Sequence, residues 1–317
     1  MEIRREGRIM IEVKNLSKHY KDRIAVNNLS FKIIPGVVTG FLGPNGAGKS
    51  TTMKMILNLT RPSQGEVIID GKKYIDLERP IAKIGALIDA DAVNPRLTAD
   101  QHLQLIAIAS GISFDRVDEV LQKSGLEKVR NKTVGQYSLG MKQRLGIAAA
   151  LLGDPKTVIL DEPFNGLDVD GIKWLRSLTK KLAREGKAVL ISSHLMGEIQ
   201  AIAERVIVLA QGTLIADMTI EEMSKKSFSS YIRIQSEDNH RLQELLKQKE
   251  GLVQRNEKES IVVRNLQMED IGITAKENNI ALFELTRIQP SLEQLFMEMT
   301  DGKVDYVSEE KHEYKER

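Results

Sequence analysis

A glycine-rich loop, one lysine and two adjacent carboxylates carry the chemistry legible in this sequence. Gly43 to Thr51 reads GPNGAGKST, which fits G-x-x-x-x-G-K-[ST] with Gly43, Gly48, Lys49 and Ser50 at the fixed places. Pro44, Asn45, Gly46, Ala47 and Thr51 complete the loop. Glycines let the backbone turn tightly and bring successive N–H groups to one anion. Lys49 supplies a mobile charge for β- and γ-phosphates, and the Ser50 hydroxyl can ligate Mg²⁺. Asp161 and Glu162 stand near the end of the run TVILDEP, Asp161 lying 112 positions after Lys49 (161 − 49). Carboxylates at the end of a central strand can face a phosphate loop across the sheet edge. Asp161 would hold the Mg²⁺ shell, and Glu162 would polarise an attacking water as general base. Without the loop upstream, such a pair reads equally as solvated strand-end acids.

The flanking pattern is of the kind that positions such groups. VVTGFL before the loop is a strand-like apolar run, and KSTTMKMILNL after it has helical spacing. The phosphates would therefore sit at a helix N-terminus. Upstream, IEVKNLSKHY alternates as a strand ending near Tyr20, and KDRIAVNNLSFKI is strand-rich. KIGALI is a strand ending at Ile88, after which the pattern fades into an exposed loop from Asp89 to Pro95. Thr98 is a candidate N-cap for LTADQHLQLIAIAS. With FDRVDEVLQKSGL and SLGMKQRLGIAAALLG this makes residues 89–153 a mostly helical insert. A helix from Gly171 to Glu185, the strand AVLIS and a hairpin turning at Gln211-Gly212 follow. Beyond Glu221, short strands and helices alternate in a small α+β unit.

The expected organisation is a flexible arm over 1–9, a core over 10–220, an accessory α+β domain over 221–302 and a disordered charged tail over 303–317. Met10 is a plausible alternative start. At 317 residues, 41% hydrophobic and 28% charged, the composition is that of a soluble globular protein of about two domains. A net charge of +2 gives no electrostatic case for nucleic acid. The chain has no cysteine, which excludes disulfides and thiol chemistry and is compatible with a reducing cytosol. No apolar run approaches the roughly 18 residues needed to span a bilayer. MEIRREGRIM lacks the apolar core of a secretory signal. A membrane role must then come through a partner.

The phosphate loop, SLGMKQRLGIA, VILDEP, NGLD and SSH occur in the order of the ATP-binding cassette (ABC) family. The resemblance covers Ile11 to Met218. It implies a P-loop NTPase core of α/β class: a β-subdomain, a RecA-like sheet and the helical insert. The chain looks like a separate ATPase subunit of a transporter. YSLGMKQRLGIA and IGALIDADAVNPRLTA resemble the subgroup that exports bacitracin- and lantibiotic-type peptides. The terminal IQPSLEQLFMEMT is similar to the end of many such subunits.

The resemblance also implies roles at matching positions. Tyr20 would stack on adenine. Ser138 and Gly140, in YSLGM against the common LSGGQ, would donate to the γ-phosphate of ATP held by the other subunit. Asp168 would link the two sites, and His194 would contact the γ-phosphate and order the water. Taken singly, Ser138 and Asp168 also read as helix N-caps, and Tyr20 as a strand tyrosine. Asp89 stands where most members carry Gln and the peptide-antibiotic subgroup often carries Glu; that residue touches Mg²⁺ and the water. Aspartate is one methylene shorter, which leaves contact through a water molecule.

The expectation is a cytoplasmic ATPase, peripheral on the inner face of the membrane, using ATP and Mg²⁺ and driving a transmembrane permease. Two copies, or this chain and a close relative, would close head-to-tail over two nucleotides, and the cargo would be an antimicrobial peptide or drug-like compound leaving the cell. The alternative is a non-transport member of the superfamily acting on ribosomes or DNA. Against it stand the single cassette, the absence of a long coiled coil between the motifs and the near-neutral charge. A GTPase is disfavoured because Asn131-Lys132-Thr133 is followed by Val134 rather than Asp.

Overall fold

The structure is a computed structural model that describes residues 10–21, 23–226, 231–249, 252–255, 260–288 and 290–300. The expected arm over 1–9 and tail over 303–317 lie outside the described residues. The chain divides into two units, the second spanning Glu221–Met299.

The first unit opens with β1 (Ile11–Tyr20) and β2 (Arg23–Ile33), followed by β3 (Val38–Leu42) and α1 (Lys49–Ile56). Then come β4 (Gln64–Ile69), α2 (Pro80–Lys83) and β5 (Ile84–Leu87). The insert holds α3 (Ala99–Ser110), α4 (Asp115–Lys123) and α5 (Leu139–Leu151). β6 (Thr157–Leu160), α6 (Val169–Arg184), β7 (Ala188–Ser192), α7 (Met196–Ile202), β8 (Arg205–Ala210) and β9 (Thr213–Thr219) complete the core. α8 (Ile220–Lys226) crosses the boundary between the units.

Two sheets build this unit. β2-β1-β4 form an antiparallel three-stranded sheet. The second sheet has the order β5-β6-β7-β3-β8-β9, parallel except for the β8–β9 hairpin. β3, β6 and β7 are buried along their whole length, as parallel strands covered on both faces must be. This explains why they read as unbroken apolar runs, whereas β1 alternates. One core joins the sheets: Leu16, Leu29 and Phe31 meet Phe41, Met53, Ile56, Ile159 and Leu190. The Phe31 and Phe41 rings pack with centroids 5.7 Å apart.

In the insert, α3 is closed at its start by a full capping box. Thr98 Oγ accepts from the Gln101 N–H, and Gln101 Oε1 accepts from the Thr98 N–H. α3, α4 and α5 pack on one another, and α5 lies along β5. Trp174 of α6 reaches the insert: its indole N–H donates to the Lys123 carbonyl at 2.9 Å, and the Arg144 guanidinium of α5 lies 4.4 Å from the ring centre. Arg144 in turn donates to the Ser124 carbonyl at 3.0 Å. Among the described residues no helix is long and apolar enough to cross a membrane.

The second unit contains β10 (Tyr231–Ser236), α9 (Asn239–Gln248), β11 (Leu252–Arg255), β12 (Ile261–Arg264), α10 (Met268–Glu277), β13 (Leu282–Ile288) and all but the last residue of α11 (Leu292–Thr300). Its sheet is antiparallel in the order β11-β12-β10-β13, a ferredoxin-like βαββαβ arrangement. Ile232, Ile234, Ile261 and Val263 pack against Leu242 and Leu246 of α9 and Ile271 of α10 in a core of their own.

Candidate functional site

The loop between β3 and α1 sits where a parallel strand hands over to a helix. Gly48, the residue before α1, has φ +97°, and a Cβ there would lie 2.5 Å from the Ala25 carbonyl oxygen. Only glycine meets both demands. α1 begins with no side-chain cap and no acidic residue in its first turn. By contrast α3, α5 and α6 start on side-chain oxygens of Thr98, Ser138 and Asp168. The first N–H groups of α1 thus face the loop without a capping side chain, which suits an anion.

A cleft of about 310 Å³ opens there, lined by Tyr20, Arg23, Ala25, Pro44 to Thr51 and Glu162. Lys49 is buried, and its Nζ donates to the Gly43 carbonyl at 2.7 Å and to that of Pro44 at 3.3 Å. Burial holds its ammonium below the ordinary lysine range, opposed by the charges of Glu162 and Asp161. Tyr20 ends β1 half-exposed, with the Lys18 ammonium 4.9 Å from its ring centre.

Asp161 and Glu162 follow β6 directly. Asp161 is buried, and its Oδ1 accepts from the Ser192 hydroxyl at 2.5 Å. The same hydroxyl oxygen accepts from the Glu162 N–H at 2.8 Å. Glu162 Oε2 accepts from the His194 N–H at 3.2 Å and lies 2.8 Å from His194 Nδ1. The end of β7 therefore grips both carboxylate residues.

Tyr20, Pro44 to Thr51 and Glu162 line one cleft. Gly43 joins it through Lys49, and Asp161 and His194 join it through Glu162 and Ser192. Ser138, Gly140, Asp168 and Asp89 are not among its lining residues. Ser138 caps α5, accepting from the Met141 N–H at 3.3 Å, and Asp168 caps α6, accepting from the Gly171 N–H at 2.7 Å. The two tips adjoin, because a Cβ on Gly140 would lie 2.7 Å from the Gly166 carbonyl oxygen. Asp89 Oδ1 accepts from the Asp91 N–H at 2.9 Å, and Asp91 pairs with Lys142 of α5 at 2.7 Å. That carboxylate is turned onto its own loop, as short Asx side chains commonly are.

Sequence reasoning missed Arg23 and Ser192. Arg23 lines the cleft and donates to the Gly46 carbonyl at 3.4 Å; an arginine at a strand start carries no pattern. Ser192 stood in the SSH phrase, but its hydroxyl bonds depend on strand pairing.

Among the described residues no group of three or more His, Asp and Glu side chains could hold a metal alone. Ser50 and Asp161 nevertheless offer hard oxygen donors beside the anion cradle. That fits Mg²⁺, which takes one or two protein oxygens together with substrate phosphates.

The comparisons agree with this arrangement. The family described as ABC transporter matches residues 26–165, and a domain of unknown function matches residues 230–293. The uncharacterized ABC transporter ATP-binding protein YhcH of Bacillus subtilis (strain 168) is 37% identical over 294 residues, covering 92% of this chain and 96% of the relative. The bacitracin transport ATP-binding protein BcrA of Bacillus licheniformis is 34% identical over 300 residues, covering 92% and 98%. The dimeric structure of MJ0796, described as a bacterial ABC transporter cassette, superposes with a TM-score of 0.62 at 31% identity, over 67% of this chain and 99% of that one. The chain belongs to the ABC transporter family as an ATP-binding subunit, and it is an ATPase.

Proposed function

We infer that the chain drives a separate membrane permease that exports an antimicrobial peptide or a similar amphipathic compound, through ATP-dependent head-to-tail pairing of two cassettes at the cytoplasmic face of the membrane. One observation carries the pairing: the phosphate loop and the Ser138 tip belong to one chain, yet Ser138 does not line the cleft. A second cassette can supply the missing tip. Exposed apolar side chains mark the same face. Leu139, Val169 and Leu195 stand next to Ser138, Asp168 and His194, and are 46%, 69% and 39% exposed. Apolar groups beside polar motifs suit a face covered by a partner. The likeness to BcrA supports the cargo class.

ATP would lie with its phosphates on the first turn of α1 and Lys49, and its base toward Tyr20. Glu162 takes a proton from the attacking water as the oxygen–phosphorus bond to the γ-phosphoryl group forms. The bond to ADP breaks, and inorganic phosphate leaves. Mg²⁺, held by Ser50 and Asp161, would offset charge on the transferring group. His194, bonded to Glu162, orients that carboxylate and the water. Asp89 contributes by ordering its loop or through a water molecule.

Glu162→Gln tests this. It keeps the shape and removes the base. ATP binding and ATP-dependent dimerisation should persist, while turnover falls by about 10²- to 10⁴-fold. Unchanged turnover refutes the mechanism; a monomer at saturating ATP refutes the pairing. Co-purification of a multi-span protein from detergent-solubilised membranes tests the permease.

A further inference from the structure

We propose that Ser192 is a positioning residue of the hydrolytic site, its one hydroxyl tying the carboxylate of Asp161 to the peptide of Glu162. This rests on the roles given above to those two acids. Ser192 closes β7, whose five residues are all buried, and is itself fully shielded from solvent. An apolar residue would continue that strand equally well. A buried hydroxyl costs stability unless its proton and lone pairs are used. Here both are used, and their direction is fixed. The peptide N–H of Glu162 can only donate, so the hydroxyl must accept from it and send its single proton to Asp161. The latter bond, at 2.5 Å, is charge-assisted.

The second partner explains the need. Glu162 has φ +47°, in the left-handed region. For a residue with a Cβ that conformation is unfavourable and persists only where the surroundings hold it. The surroundings are these. The Glu162 N–H is held by Ser192. Its carbonyl accepts from the Asn165 N–H at 3.2 Å and faces the Gln143 amide at 3.5 Å. Its carboxylate is met by His194. Ser192 and His194, two residues apart, thus fix the peptide and the side chain of the same glutamate. Removing the hydroxyl leaves the N–H unpaired and lets φ relax to a negative value. The carboxylate then swings away from the attacking water, and Asp161 loses a donor that orients it.

The test is Ser192→Ala in the full chain. The expected kcat is about 10- to 100-fold lower, with KM for ATP within about threefold of the parent. Ser192→Thr keeps the hydroxyl and should return most of the rate, which a purely volumetric role would not require. A crystal structure of nucleotide-free Ser192→Ala should show Glu162 at negative φ. A kcat within about twofold of the parent overturns the proposal, as does Glu162 remaining at positive φ. Should Ser192→Ala not fold, Ser192→Cys replaces it, because the thiol is a weak donor of nearly the same size. A rate equal to the parent's in Ser192→Cys overturns the proposal, and a loss that Ser192→Thr does not share upholds it. A parent chain that never hydrolyses ATP refutes the hydrolytic reading instead, while the φ of Glu162 still decides this one.

Discussion

Gly140→Ala puts a single methyl between the tips of α5 and α6, where the consequence can be worked out. The new Cβ would sit 2.7 Å from the Gly166 oxygen, and ordinary contact begins at 3.4 Å, so about 0.7 Å must be found (3.4 − 2.7). Gly166, at φ +73°, is packed beside Leu139 of the same tip, so that a Cβ there would lie 2.4 Å from the Leu139 side chain, and the two tips cannot separate at this point without shifting each other. The α5 tip carrying Ser138 must therefore move. Alanine raises helix propensity by up to about 1 kcal/mol, and overpacking costs about 1–3 kcal/mol. The net loss is then about 0–2 kcal/mol, and the chain stays folded. The kinetic effect is larger, because a misplacement near 1 Å costs about 10²-fold in rate. A displacement of about 0.7 Å should lower kcat by about 10-fold or more. The assay is steady-state ATPase activity alongside equilibrium binding of a fluorescent ATP analogue, which should change far less than kcat because the phosphate loop is untouched. A folded variant with kcat within about twofold of the parent would refute the reasoning, since the Ser138 tip would then have no part in turnover.

Two further outcomes follow from particular contacts. Thr98→Ala removes one half of the capping box on α3 and should cost about 1 kcal/mol of stability, read as a lower urea midpoint, with Thr98→Ser recovering most of it. Lys49 has a folded pKa lowered by burial. Between that value and the ordinary lysine value the unfolded chain binds more protons, so the nucleotide-free protein should gain stability as pH rises through the window. Below the window Lys49 is charged in both states, and the folded state bears the whole desolvation cost. Urea unfolding across alkaline buffers measures the slope, and its persistence in Lys49→Met would assign it to other groups.

Much of the core could be read in advance because its signals are local. The phosphate loop announces itself through residue types at fixed offsets. The β8–β9 hairpin turns at the expected Gln211-Gly212, both at positive φ. Thr98 caps α3 as its hydroxyl and its spacing to Gln101 require. What escaped depends on pairing or on very short elements. The four-residue α2 leaves no period to detect. The bond from Ser192 to Asp161 exists only because β6 and β7 lie side by side, and nothing in SSH says which strand is the neighbour. The inward turn of Asp89 arises from one N–H two residues on. The strands and helices of the C-terminal unit were legible in order, but its β11-β12-β10-β13 arrangement was not, because sheet order is set by long-range packing.

Trp174 has a practical consequence. It is the chain's single tryptophan, and its indole is held by the end of α4 and roofed by Arg144 of α5. Tryptophan emission from this protein therefore comes from one joint, where α6 meets the helical insert. A nearby guanidinium and a bonded indole N–H make the colour of that emission responsive to any opening of the joint. Because the chain also lacks cysteine, one introduced thiol would be the sole attachment point for an acceptor dye. The unlabelled sequence is already a background for distance measurements during the ATP cycle.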